Sequence, residues 1–147
     1  MQRFRFRLAN VLGWRILQLE IEEGKLEALF SERRRRQEEI TGIGEQRRNA
    51  DRLLRSDSVE GQQLAALDVH RHALVRLAAR LRTQAEDCDR RIAAQQLKVL
   101  EAERRVQLLD RLKERRLSEW QLEADREQET LASETFLAKW VRERKRG

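Results

Sequence analysis

Apolar residues return every three to four positions along residues 67–141, a stretch that contains no proline or glycine. This spacing is typical of one face of a long helix, and its heptad form predicts a seam that packs against a second helix. Gln95 is the only clearly polar residue on the first part of this seam. The other members are Leu74, Ala78, Leu81, Ala85, Cys88, Ile92, Val99, Ala102, Val106 and Leu109.

The pattern changes after Leu109, because Lys113 and Arg116 fall on the same seam. The spacing of four plus four from Leu109 through Lys113 to Leu117 is a stutter, which locally unwinds a coiled coil. We therefore expect a different packing partner on each side of the stutter. The second seam is predicted to hold Leu117, Trp120, Ala124, Glu127, Leu131, Glu134, Ala138 and Val141.

An earlier heptad pattern predicts a first helix over residues 2–55. Its seam includes five charged residues, and long arginine stems can lie along a seam while their guanidinium groups reach water. Glycines at 42 and 44 predict a bend at residues 41–44, which acts either as a hinge or as a local irregularity. The apolar seam members are Leu8, Leu12, Leu19, Leu26, Leu29, Ile40, Ile43, Ala50 and Leu54, and the charged ones are Arg15, Glu22, Arg33, Arg36 and Arg47.

The seam stops at residues 56–61, where the sequence predicts a turn with a capping box in which Asp57 accepts from the new helix and Glu60 reaches back. A short turn between long helices makes them antiparallel. The predicted fold is therefore all-α, a single coiled-coil hairpin over residues 1–147. Its second helix, at about residues 62–143, is longer than the first.

If equal numbers of residues run along each helix from the turn, Leu8 lies opposite the residues around Val106. About thirty residues at the end of the second helix would then lack a partner within the chain, over roughly 45 Å at 1.5 Å per residue. An exposed apolar stripe of this kind favours a docking surface for another protein, or a homodimer contact. It includes Leu117, Trp120, Leu122, Leu131, Phe136, Leu137, Trp140 and Val141.

The composition favours narrow apolar stripes over a compact globule. Of the 147 residues, 39% are charged and 5% are aromatic, and the formal net charge is +6. Neither end carries an apolar run long enough to cross a bilayer, so we expect a soluble, intracellular protein. The positive charge permits an acidic partner, nucleic acid or an anionic membrane surface without choosing among them.

Trp14 is predicted to be exposed and Cys88 to be buried. Trp14 lies on a second apolar line of the first helix and is predicted to point outward, with packing against the neighbouring helix as the alternative. Cys88 falls on the seam and is predicted to be a small buried hydrophobe.

Residue types that serve catalysis or metal binding are present, but their spacing does not bring them together at one site. His70 and His72 are two positions apart, which places them on different faces of a helix, and Cys88 lies several turns away. A two-helix fold provides no dry pocket in which carboxylate pKa values would shift. We expect no catalytic residue, no metal and no cofactor.

Three features together carry a family resemblance. The chain opens with Phe4-Arg5-Phe6-Arg7-Leu8 followed by Val11-Leu12, it has the length for two long helices, and it closes with a leucine, lysine-rich, aromatic and then Glu-Gln run at residues 109–129. In these features the chain resembles the FliJ family, small coiled-coil hairpins of the flagellar type III secretion apparatus. It departs from that pattern at residues 133–135, where family members often have Asp-Glu followed by a small or apolar residue.

The resemblance implies a non-enzymatic stalk whose terminal end enters the ring of the flagellar export ATPase and promotes its assembly and activity. It further implies contacts with the export gate protein and with substrate chaperones. We expect no nucleic-acid partner, because basic clusters as short as those at the chain ends are common on helix ends and have little specificity. The expected location is the cytoplasm, at the cytoplasmic face of the inner membrane, which the protein reaches through its partners.

The resemblance and the exposed stripes together assign the candidate partner-binding residues. ATPase docking is assigned to Phe4, Arg5, Arg7, Leu117, Trp120 and Trp140. By analogy with a family patch early in the second helix, gate contact is assigned to His70, Ala73, Leu77 and Arg80, although Ala73 stands where an aromatic residue is usual. Trp14 and Phe136 complete the partner-binding set.

Two other functions stay open on the sequence. A related injectisome stalk would share most of these features. A basic coiled-coil adaptor bound to nucleic acid or membrane would instead use the alternating arginines and phenylalanines at residues 3–7. The cluster at residues 33–36 has no role assigned by the sequence.

Overall fold

The computed structural model describes residues 2–56 and 60–147, and over these residues the chain contains two helices and no strand. Helix α1 spans Ala9–Leu54, with 46 residues, and helix α2 spans Gly61–Arg146, with 86 residues. The two helices pack against each other and the second is the longer. The predicted all-α fold is confirmed.

Helix α1 begins at Ala9, so the prediction of helix from residue 2 is wrong. Its first turn is marked by the Leu12 amide, which donates to the Leu8 carbonyl at 2.8 Å. Residues 2–6 have no helical structure. The reason lies in their alternation, because Phe4 and Phe6 would fall about 200° apart on a helix, whereas every second residue of an extended chain points to the same side.

Helix α2 begins at Gly61, and its cap differs from the predicted one. The Leu64 amide donates to the Glu60 carbonyl at 2.9 Å, which places Glu60 at the N-cap position. The Glu60 amide in turn donates to Oε1 of Gln63 at 3.4 Å, so Gln63 supplies the return half of a capping box. The predicted acceptor, Asp57, lies outside the described residues.

By contact density the chain divides into two units, one made of residues 19–101 and the other of the two terminal parts, 2–18 and 102–147, among the described residues. In the first unit the α1 and α2 segments are antiparallel. Arg71 pairs with Asp51 at 3.0 Å, and Gln95 reaches back to Glu22, so positions on α2 rise as positions on α1 fall.

The core of residues 19–101 is the predicted seam. Ile43, Leu74, Ala78 and Leu81 form its buried cluster, and Ile40 packs against them. The predicted burial of Cys88 is confirmed, since only 1% of this residue is exposed. The other buried members on this part of the chain are Ala50, Ala85, Ile92, Gln95 and Val99.

Arginines occupy the α1 side of the seam as predicted, with Arg33, Arg36 and Arg47 each half-buried. Nε of Arg33 lies 2.8 Å from Oδ1 of Asp89, which places this arginine at the level of Cys88. Small residues at 85 and 88 on α2 therefore leave room for the arginine stems, whose heads reach the edge of the helix pair.

A second cross-helix ion pair lies close by and involves Glu32 of α1 and Arg91 of α2. Nη2 of Arg91 lies 3.0 Å from Oε1 of Glu32. The hydrogen bond from Arg91 lowers the pKa of the Glu32 carboxyl, and the same bond raises the pKa of Arg91. Because both side chains are partly exposed, this pair mainly fixes alignment and adds little stability.

Gln95 is the one buried polar residue among the described part of the seam. Its Nε2 donates to the backbone carbonyl of Glu22 at 3.0 Å and also to the Glu22 carboxylate. This hydrogen bond is the main cause of the lowered pKa of Glu22. A buried amide with a specific partner penalises register slips, because any slip would leave it unsatisfied.

Helix α1 continues through residues 41–44, where the sequence predicted a bend. No glycine among the described residues has a positive φ, and a Cβ added at Gly42 or Gly44 would meet nothing within 4 Å. The Thr41 hydroxyl donates to the Gln37 carbonyl at 3.0 Å, one turn back along the helix. The glycines therefore serve no packing need in this state.

We expect Gly44→Ala to raise the free energy of unfolding by about 0.5–1 kcal/mol, because alanine has the higher helix propensity and its methyl group meets no neighbour. Urea unfolding followed by circular dichroism measures the change. The reciprocal substitution Ala28→Gly, at an exposed site on the same helix, should lower the free energy of unfolding by a similar amount. A less stable Gly44→Ala variant would mean that the glycine is needed for a bend.

The Gln95–Glu22 pair should give the protein a measurable acid dependence. The pKa of folded Glu22 lies below its ordinary value of 4.5, so its stabilising contribution is present above that pH and is lost as pH falls through the folded pKa. The stability difference between wild type and Gln95→Leu should therefore shrink between pH 6 and pH 3, as measured by urea midpoints. Glu22→Gln removes the titrating group and should show a flatter acid dependence than wild type.

Candidate partner-binding surfaces

An N-terminal strap, residues 2–8, lies against α2 within the unit formed by residues 2–18 and 102–147. The Phe4 and Trp120 ring centroids are 6.0 Å apart, with the ring planes inclined by 55°. The Trp120 indole N–H donates to the backbone carbonyl of Gln2 at 3.2 Å. These two contacts tie the start of the chain to the middle of the second helix's terminal segment.

The alternating sequence of the strap explains how it lies on the helix. Phe4 and Phe6 are half-buried, whereas Arg3, Arg5 and Arg7 are exposed. The phenylalanines thus face α2 and the arginines face solvent, as period-two alternation requires. The groove between strap and helix is completed on α2 by Leu112, Arg116, Glu119, Trp120 and Glu123.

Trp120 is therefore not free to dock, contrary to the prediction that it lies on a bare stripe. It is half-buried, and Leu117, three residues before it, is half-buried as well. The equal-arm estimate failed because it set the register wrongly, since the pairs of Arg33 with Asp89 and of Arg71 with Asp51 lie several residues further along α2 than that estimate implies. The strap itself reaches Trp120, through Phe4 and the Gln2 carbonyl.

The second seam predicted after the stutter is present for its first three members. Leu117, Trp120 and Ala124 are each at least half-buried, while Lys113 and Arg116 are exposed. From residue 125 onwards every residue is exposed. The last part of α2 is thus exposed on all sides, as predicted, but this exposed part begins at residue 125 and is shorter than predicted.

The far end of α2 carries what we call the tail patch, formed by Phe136, Leu137, Trp140 and Val141. Their spacing of one, three and one residues puts them on one face of the helix. Their exposed fractions are 68%, 57%, 47% and 44%. The guanidinium carbon of Arg144 lies 4.9 Å from the Trp140 ring centroid, a cation–π geometry.

Basic residues surround the tail patch. Residues 139–146 include five lysines or arginines and a single acidic residue, Glu143. An apolar face with a basic border suits a partner that offers an apolar pocket with an acidic rim.

The remaining predicted residues lie elsewhere. Trp14 is 52% exposed, so its predicted outward orientation is confirmed, and the guanidinium carbon of Arg15 lies 4.9 Å from its ring centroid. Ala73 and Leu77, in the other unit, are both exposed on α2 and share a face because they are four residues apart.

Of the predicted partner-binding residues, the structure brings only Phe4 and Trp120 into direct contact, with Arg5 and Arg7 along the same groove. The sequence analysis missed Gln2 as the acceptor for Trp120, and it missed Phe6 and Leu112 as groove residues. The signal was available in the alternation of arginine and phenylalanine at residues 3–7, which has the period of an extended chain and not of a helix.

Within residues 2–56 and 60–147, no group of three or more His, Cys, Asp or Glu side chains is placed to hold a metal ion. Neither helix, over its described residues, has a segment apolar enough to span a bilayer.

No protein-family model, curated protein or solved structure matches this chain.

Phe4→Ala should release the strap and expose Trp120. In a variant that keeps Trp120 as its only tryptophan, with Trp14→Phe and Trp140→Phe, acrylamide quenching should increase when Phe4 is truncated. The free energy of unfolding should fall by about 1 kcal/mol, the typical contribution of an aromatic pair. Phe136→Ala is the matched control, because a residue that is 68% exposed should change stability by less than about 0.5 kcal/mol. Unchanged quenching in the Phe4→Ala variant would contradict the strap contact.

Proposed function

We propose that the chain is a non-enzymatic stalk of the bacterial flagellar type III protein export apparatus. In this role it docks with the export ATPase ring, promotes its assembly and activity, and links it to the export gate and substrate chaperones. The proposal extends the FliJ-like features of the sequence, and it is supported by a two-helix fold whose second helix is the longer.

The observation that carries the proposal is the bare end of α2. All residues from 125 to 147 are exposed, yet residues 125–146 are helical and include the tail patch. A helix of this length with no packing partner gains little stability from propensity alone, and contiguous exposed apolar side chains mark interaction sites. A ring of subunits around this segment would cover it from several sides at once, which a single flat surface would not.

The structure changes which residues we assign to the ring. Phe136 and Trp140 are exposed to solvent, so they are the primary docking residues of the proposal. Arg5 and Arg7 stay in the docking set as exposed charges, whereas Phe4, Leu117 and Trp120 now serve first to hold the strap. Trp14 remains a separate exposed contact.

The gate contact rests on a smaller surface. Ala73 and Leu77 are exposed on one face of α2, and Leu77 is 41% exposed. Two small apolar residues fit a modest, transient contact better than a permanent one. The proposed location is the cytoplasmic face of the inner membrane, reached through these partners. Self-association through the bare end of α2 is the behaviour expected when no partner is present.

The direct test measures ATP turnover by a purified flagellar export ATPase, with and without this chain. Wild-type protein should raise turnover in proportion to ring assembly, which mass photometry follows in parallel. Trp140→Ala should weaken binding by about 1–3 kcal/mol, roughly 5- to 150-fold, because exposed tryptophans with a cationic neighbour are typical hot spots. Leu97→Ala is the control, since Leu97 is an apolar residue of α2 that is 68% exposed and belongs to none of the assigned surfaces, and it should leave ring binding unchanged.

A salt series separates this function from nucleic-acid binding. A complex anchored by the tail patch should lose little affinity between 50 and 200 mM salt, whereas a phosphate-driven complex would weaken by orders of magnitude. No stimulation of the ATPase at any concentration, together with full affinity of Trp140→Ala, would refute the proposal.

A further inference from the structure

A shallow groove on α1, within the unit of residues 19–101, is lined by residues of this helix alone. Phe30 is its aromatic member and is 41% exposed, whereas Leu26 is half-buried. None of the groove residues belongs to the strap, the tail patch or the docking and gate residues of the proposed function. The groove residues are Glu23, Leu26, Glu27, Phe30, Arg33 and Arg34.

The two ends of the groove carry opposite charges that the chain itself does not pair. Over residues 2–56 and 60–147, neither Glu23 nor Glu27 forms an ion pair, although both are exposed. Glutamates four residues apart on a helix repel each other mildly, so this end of the groove favours a cation. At the other end Nη2 of Arg34 donates to Oγ of Ser31 at 3.1 Å, and within the same described ranges no carboxylate pairs with it.

The other charges beside the groove are already paired within the chain. Nε of Arg33 lies 2.8 Å from Oδ1 of Asp89, and Nζ of Lys25 lies 3.5 Å from Oε1 of Glu22. The groove therefore presents an acidic end, an aromatic centre and a basic end to any molecule that approaches it.

The residues that define these three parts share one face of α1. Glu23, Glu27, Phe30 and Arg34 are separated by four, three and four positions, the spacing of neighbours on one side of a helix. This order of steps is the same in both chain directions. If a second copy of the face lies antiparallel on the first, Glu23 meets Arg34 of the second copy at the same time as Glu27 meets its Phe30.

We propose that this face of α1 is a self-recognition surface, on which two copies of the chain pair antiparallel about a two-fold axis. A two-fold contact is self-complementary, so the ion pair between Glu23 and Arg34 forms twice. The two Phe30 rings are then offset by three residues, about 4.5 Å along the helix axis, which is within the range of aromatic contact.

Other occupants fit this face less well because it carries both signs of charge. Nucleic acid and anionic membranes would meet the carboxylates of Glu23 and Glu27, and a purely basic helix would meet Arg34. A second copy supplies the opposite charge at both ends. A stable interface usually buries about 800 Å² per partner, and a face of this size offers less, so the expected dimer is weak and reversible.

The test is sedimentation equilibrium of the full chain over a concentration series. All proteins carry Phe136→Ala and Trp140→Ala, which remove self-association through the tail patch. This parent protein should be a monomer in rapid exchange with a dimer. Phe30→Ala should weaken dimerisation about fivefold or more, since aromatic residues at the centre of an interface are typical hot spots. Circular dichroism should show unchanged helix content, because Phe30 lies outside the seam.

Charge reversals test the antiparallel arrangement. Glu23→Arg and Arg34→Glu each place like charges opposite one another and should each weaken dimerisation several-fold. An equimolar mixture of these two variants has opposite charges at both sites, so the mixed dimer should form as readily as the parent dimer. Glu86→Arg and Arg76→Glu are the matched controls at exposed sites on α2, and each should change dimerisation by less than about twofold.

Three results would each overturn the proposal: a parent protein that stays monomeric, full dimerisation of Phe30→Ala, or a mixture that dimerises no better than its two components. The inference does not rest on the export function. ATPase stimulation is measured with the tail patch intact, so the two proposals can fail separately.

Discussion

Burial of one narrow seam between α1 and α2 stabilises the fold of residues 19–101. Two helices share a single contact face, so there is no second layer in which an imperfect seam could be compensated. The seam combines small residues on α2, such as Ala85 and Cys88, with long arginine stems on α1. Apolar burial alone would tolerate several registers of such a pair. The hydrogen bonds of Gln95 to Glu22, supported by the flanking ion pairs, select one.

Within the unit formed by residues 2–18 and 102–147, the N-terminal strap decides which apolar residues of α2 are covered. Helix α1 begins at Ala9, and the residues before it change from helical to non-helical backbone. The Phe4 ring and the Gln2 carbonyl of the strap both contact Trp120. The apolar residues in the last part of α2 thus fall into two groups, those covered by the chain itself and those that are exposed.

The sequence predicted most of the helix pair, because burial along a helix follows a period that is visible in the residues. Even the charged seam members Arg33, Arg36 and Arg47 were placed correctly, since heptad position and stem length decide their burial. The stutter after Leu109 was also real, with Lys113 and Arg116 exposed. Helix ends were harder, because a single hydrogen bond, such as that from the Glu60 amide to Gln63, decides the first residue of α2.

The strap was missed because the heptad pattern of the first helix was extended through residues 2–8, where a two-residue period competes with it. Tertiary contact decided between them, since only a non-helical chain lets Phe4 and Phe6 both reach α2. No local rule could have paired Gln2 with Trp120, which lie 118 positions apart. The sequence therefore indicated which candidate partner-binding residues are apolar, but not which of them the chain itself covers.

The single cysteine is a natural probe of how often the helix pair in one of the two units opens. Cys88 is 1% exposed and lies in the seam of residues 19–101, whereas all three tryptophans lie in the other unit. A water-borne thiol reagent can modify this sulfur only during moments when the two helices part. The rate of its reaction thus reports how often the paired helices open, independently of anything that happens at the ends of the chain.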